Sequence, residues 1–166
     1  MKRGLVAKIA ALVVIVLLLN MTLQVGAAQD PSAATKVSAA KVVQLLTASG
    51  YTFKQLTPIV WTIDFTGKSL PNFKVLLSTQ DDLLVIFVIA AEKKNIPLNT
   101  NFMFKLLRFN HSLDRVKVGL DDDGDLFVRV DLSVRILDVT DLKLNVEQVA
   151  ASSNEVYAAI KGDLTS

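Results

Sequence analysis

The chain of 166 residues is 51% hydrophobic and 20% charged, which suits one globular core of ordinary size. Its formal charge is +2, but leaving Lys2, Arg3 and Lys8 out of the 18 basic residues sets 15 bases against 16 acids, so no basic surplus points to a nucleic-acid partner. Cysteine is absent, which excludes disulfides and thiolate chemistry, and with a single histidine a zinc site would have to rest on carboxylates.

Residues 1–28 have the layout of a secretory signal peptide: a basic start, an apolar run from Ile9 to Leu19, then small residues in "VGAA". Cleavage after Ala27 or after Ala28 fits, and the expected address is periplasmic or extracellular. The alternative is a retained membrane anchor, since no charge occurs between Ile9 and Gln29 and that length spans a bilayer at about 1.5 Å per residue. Residues 29–36 are small and polar and read as a linker.

A first helix follows, with Ala39, Val42, Val43 and Leu46 on one face, Lys41, Gln44 and Ala48 on the other, and Gly50 as its stop. "IVWTIDF" alternates as a half-buried strand, with Ile59, Trp61, Ile63 and Phe65 facing one way. "FKVLLST" and "LLVIFVIAA" continue as strands, the second apolar enough to be covered on both faces. "NFMFKLLRFN" predicts a helix capped by Asn99 or Thr100, which buries Phe102, Met103, Leu106, Leu107 and Phe109 and turns Lys105 and Arg108 outward. "RVKVGL" and "LFVRVDL" form a hairpin, and a last helix carries Leu142, Val146, Val149, Ser153, Val156 and Ile160 on one stripe. The expected fold is an α+β sandwich in the order α-β-β-β-α-β-β-α, an antiparallel sheet covered by helices over residues 37–161, with a tail at 162–166.

The acidic stretch "DDDGD" does not match a calcium loop. With Gly124 in sixth place, positions one and twelve fall on Gly119 and Val130, where carboxylates are needed, and Asp121 and Asp123 alone do not make a site. It reads instead as a structural turn of Asp122, Asp123 and Gly124, with Gly124 left-handed at a bulge. That register pairs Leu120 with Leu126, Val118 with Val128 and Val116 with Val130, and sets Arg115 opposite Asp131 and Lys117 opposite Arg129.

"FTGKSL" has the end of a phosphate loop, but Thr62 stands where its first glycine belongs. His111, Ser112 and Asp114 are too close in sequence to signal a triad, and His111 reads as a helix-end residue. Asn110 to Ser112 is a glycosylation sequon, of meaning only in a eukaryotic secretory route. Phe104 lies beside Arg108, away from the apolar stripe, and the two mark a candidate interface.

From "NFMFKLLRFNHSLDRVKVGLDDDGDLFVRVDL" to "LNVEQVAASSNEVYAAI" the chain resembles the bacterial YbjN domain family. The likeness is carried by Asn110, by Val116 and Val118, by Asp121 to Leu126, by Val128 and by the helix from about Asp141. It implies a fold similar to the type III secretion chaperones, compact sandwiches that dimerise and hold segments of client proteins. It also implies a link to sensory-transduction regulation, and it brings no catalytic residues.

The expectation is therefore an exported, non-enzymatic binding or regulatory module with a protein or peptide partner, a homodimer among its states and no cofactor. A membrane partner enters if the leader is retained. The competing expectations are a membrane-tethered structural subunit and a hydrolase or lipid-handling enzyme whose site forms only in three dimensions.

Overall fold

A computed structural model describes residues 32–165; the leader, together with residues 29–31 and 166, lies outside the described residues. Helix α1 (Ala33–Ser49) begins four residues earlier than expected, because Ser32 caps it by accepting the Thr35 N–H at 3.1 Å. Thr35 is buried, so these small polar residues are packed structure rather than the end of a linker. Gly50 ends the helix at φ +79, a left-handed conformation that glycine adopts without a Cβ penalty.

Six strands follow where five were expected: β1 (Phe53–Thr57), β2 (Val60–Phe65), β3 (Phe73–Gln80), β4 (Leu83–Ala91), β5 (Lys117–Leu120) and β6 (Leu126–Ser133). The added strand is β1, whose sequence FKQLT sends little besides Phe53 toward the core and so shows no apolar alternation. Helix α2 (Thr100–Ser112) is capped by Asn99, and α3 (Val139–Ile160) by Asp138, each side chain accepting a main-chain N–H of the first turn. The α+β class stands as expected, with every neighbouring pair antiparallel in the order β1-β2-β3-β4-β6-β5.

The three helices share one core with one face of the sheet. Val42 and Leu46 of α1, Leu106 of α2, and Val146 and Val149 of α3 join Trp61, Leu77, Ile86 and Val128 in a single cluster. Each fully buried aliphatic side chain there contributes about 1.5–3 kcal/mol. All six stripe residues of α3 are buried. On the reverse face Val60, Leu76 and Phe87 form a separate small cluster, so β4 is apolar on both sides although the helical residues join only the other cluster.

The β5–β6 hairpin has the expected register, Leu120 with Leu126 and Val118 with Val128. Gly124 donates to the Asp121 carbonyl at 2.9 Å and takes φ +84, while the Asp121 N–H reaches the Asp125 carbonyl at 3.0 Å. Phe127 covers Gly119 across the pair, and the Arg129 guanidinium lies 4.9 Å from the Phe127 ring centre. Arg115 does not meet Asp131. It sits at φ +64 ahead of the strand, and Asp131 instead accepts from Lys117 at 2.6 Å and stands 3.4 Å from Arg129, offsetting the repulsion between those paired cations.

The two-residue turn Asp81–Asp82, between β3 and β4, is held from both sides. Ser32, Thr35 and Ser38 of the α1 end bond Asp81, whose own N–H donates to Thr35 Oγ1 at 2.8 Å. Asp82 accepts from Ser133 Oγ at 2.7 Å and from both the N–H and Nε of Arg135 at 3.0 Å. At the far end of the sheet, Asn154 of α3 accepts from the Ser69 and Leu70 N–H groups at 2.8 and 3.1 Å and so pins the β2–β3 loop.

Candidate functional site

Strands β3 and β4 pair from Gln80–Leu83 to Leu76–Phe87, and there their ladder stops. Both strands continue, each with its other neighbour: β3 follows β2 to Phe65–Phe73, and β4 follows β6 to Ala91–Leu126. The register of β4 shifts between Ile89 and Ala91, and such a bulge bends the strand that carries it. Two adjacent strands thus part in the middle of a sheet.

The parting opens a cavity of about 960 Å³, a volume within the range of small-molecule and peptide sites. Phe73, Leu76 and Ile89 make it apolar, with Tyr157 and Leu164 from the C-terminal part of the chain. Its rim carries charges of both signs, among them Lys74, Lys94, Asp123 and Asp125. Residues of a strand turn their N–H and C=O groups to alternate sides, so the stretch Phe73–Val75, unpaired toward β4, directs main-chain groups into the opening.

The rim is built by short-range bonds. The Lys93 N–H donates to Asp125 Oδ1 at 2.7 Å, and the aliphatic stem of Lys93 lies against Gly124, so the short 3₁₀ turn Lys93–Asn95 is fastened to the hairpin tip. The Thr165 N–H bonds the Asn95 carbonyl at 2.9 Å and closes the tail onto the same turn. Lys94 is raised from its ordinary pKa by a hydrogen bond and charge attraction from Glu92. Lys74 pairs across the sheet with Asp64, which it holds below the usual carboxylate range.

The aspartates of the tip serve the main chain. Asp121 Oδ1 accepts the Asp125 N–H at 2.8 Å, and burial raises the Asp121 pKa. Among the described residues no group of three or more His, Asp or Glu is arranged to hold a metal ion. His111 is exposed in the last turn of α2, and Gly67 of "FTGKSL" closes a tight loop by donating to the Leu70 carbonyl at 3.1 Å.

A second surface lies on α2. Phe104 is 61% exposed and Arg108 is exposed beside it. Leu107, expected in the core, is 63% exposed, because α2 packs beside the edge strand β5 and buries only the narrow line of Phe102 and Leu106, with Met103 and Phe109 half-buried. Leu98 is exposed just ahead of the helix. Sequence reasoning found Phe104 and Arg108 on this surface but not Leu107, and it did not find the cleft, which depends on where a strand ladder ends.

The family model of YbjN, described as "Putative bacterial sensory transduction regulator", matches residues 38–162. Among solved structures, YbjN from E. coli aligns with TM-score 0.57 at 18% identity, covering 76% of this chain and 95% of that one. A chain of the HopA1–SchA chaperone–effector complex aligns with TM-score 0.50 at 16% identity, covering 74% and 97%. A chain of the heterodimeric ExoU–SpcU complex from the type III secretion system of Pseudomonas aeruginosa gives TM-score 0.50 at 18% identity, covering 73% and 95%. No curated protein matches the chain in sequence.

Proposed function

The chain belongs to the YbjN family, and from that membership we propose an exported, non-enzymatic module that binds an extended segment of a protein partner. The observation that carries this reading is the parting of β3 and β4. A peptide laid along the unpaired stretch Phe73–Val75 adds a strand there, setting alternate side chains on the apolar floor and toward the charged rim. The fold's likeness to chains of the HopA1–SchA chaperone–effector complex and of the heterodimeric ExoU–SpcU complex supports a protein as the occupant. Against catalysis, the residues lining the cleft include no histidine. Phe104, Leu107 and Arg108 offer a second contact for the partner or for another copy of the chain. Export is read from residues 1–28.

The test is photocross-linking from Lys94, which is exposed on the cleft rim, in envelope extracts of the native host, with identification by mass spectrometry. A protein adduct that is lost when Phe73 is changed to Asp and the variant still folds supports the reading. A folded monomer that captures nothing refutes it.

A further inference from the structure

The end of the fold where the described chain begins has exposed apolar and basic side chains that no packing role explains. Ile136 is 83% exposed and Val37 is 72% exposed. The two are brought near one another because Lys41, one helical turn after Val37, donates to the Arg135 carbonyl at 2.9 Å. Lys36 is exposed on the same stretch of α1, and the Arg135 side chain is 82% exposed. Of the acids at this end, Asp81 is engaged with Ser32 and Thr35, Asp82 with Ser133 and Arg135, and Asp138 as the cap of α3, while Asp141 stands in the first turn of that helix.

The 20 residues Ile9 to Ala28 carry no charge, and about 20 apolar residues are what a segment needs to cross a bilayer's hydrocarbon core. Lys2, Arg3 and Lys8 stand on one side of that stretch, as in segments that keep their basic end in the cytoplasm. On the other side only Gln29, Asp30 and Pro31 separate it from Ser32, and three residues reach at most about 10 Å. We propose that the leader is retained in the membrane and that this end of the domain, through Val37, Ile136, Lys36 and Arg135, rests on the lipid surface. Apolar side chains at the headgroup boundary and bases against anionic headgroups are the chemistry of such a contact. The β5–β6 tip and the cleft lie at the opposite end of the sheet and face away from the lipid, so the inference is independent of what the cleft holds.

The chain has no cysteine, so single labels can be placed at will. The full chain carrying Ile136→Cys with an environment-sensitive fluorophore is reconstituted in vesicles of phosphatidylethanolamine and phosphatidylglycerol, beside the same chain labelled at Asp122→Cys on the hairpin tip. The expected result is blue-shifted emission, quenched by nitroxide lipids, at position 136 and aqueous emission at position 122. Aqueous emission at both positions overturns the proposal. So does a native-host chain whose intact mass begins at Ala28 or Gln29; a membrane-bound chain that keeps residues 1–28 supports it.

Discussion

The side-chain amide of Asn110 holds the main chain of Val118 at both of its polar groups, donating to the carbonyl at 2.9 Å and accepting from the N–H at 2.8 Å. Since β5 is the last strand of the sheet, Asn110 stands where a further strand would pair. It satisfies an edge that would otherwise invite another chain.

Asn110→Ala leaves both groups of Val118 without a partner and is expected to lower stability by about 1–3 kcal/mol. Asn110→Asp keeps the acceptor, loses the donor and should fall between the two. Urea midpoints measure this, and equal midpoints for wild type and Asn110→Ala would show that the clamp contributes nothing.

Gly67 and Asn154 are coupled. A Cβ at Gly67 would collide with Asn154 Oδ1, the atom that holds Ser69 and Leu70. Gly67→Ala should therefore be destabilising in the wild type and cost less in an Asn154→Ala background, with a coupling of about 0.5–3 kcal/mol from a double-mutant cycle. Additive effects would contradict the contact.

Gly124→Val should destabilise the hairpin by about 1–2 kcal/mol, because a branched residue resists φ +84 and its Cβ would press on Lys93 Cδ at 3.0 Å. Gly124→Asn, which tolerates the left-handed region, should cost less. Thermal melting of the two variants ranks them.

Two aspartates should give opposite pH signatures. The Ser133 hydroxyl first, and then Arg135, hold Asp82 below the usual carboxylate range. Its contribution is present above the unfolded pKa of about 3.9 and is lost as pH falls through the lower folded value. Asp121 is raised, chiefly by burial, so the folded state binds its proton more tightly and its contribution shrinks as pH rises through the unfolded value toward the folded one. Asp82→Asn should lose stability at neutral pH and decline less in acid. Asp121→Asn, which keeps the acceptor for the Asp125 N–H, should be neutral or stabilising at neutral pH. Denaturant titrations at neutral pH and at about pH 3 test both signs.

The elements whose burial follows their own period were legible in the sequence. The stripe from Leu142 to Ile160 is buried at every position named, and "DDDGD" carried enough turn chemistry to set the register of Leu120 with Leu126. What was not legible depends on distant residues. β1 is a strand because β2 lies beside it, the first turn of α1 is held by Asp81, and Leu107 is exposed because an edge strand supports only a narrow stripe. The cleft needs a bulge in β4 together with pairings that end at Leu76 and Phe87, and local pattern encodes neither.

The Asp81–Asp82 turn also constrains the order of assembly. With only two residues between paired Gln80 and Leu83, the β3–β4 hairpin closes a very short loop at little entropic cost and needs neither end of the chain. Its side-chain partners are remote: Thr35 is 46 residues before Asp81, and Ser133 is 51 residues after Asp82. Like most helices in proteins, α1 draws its stability chiefly from packing its buried face rather than from propensity. A ribosome therefore releases the first helix long before its docking site exists, and the helix gains its anchor only once the turn has been synthesised and closed.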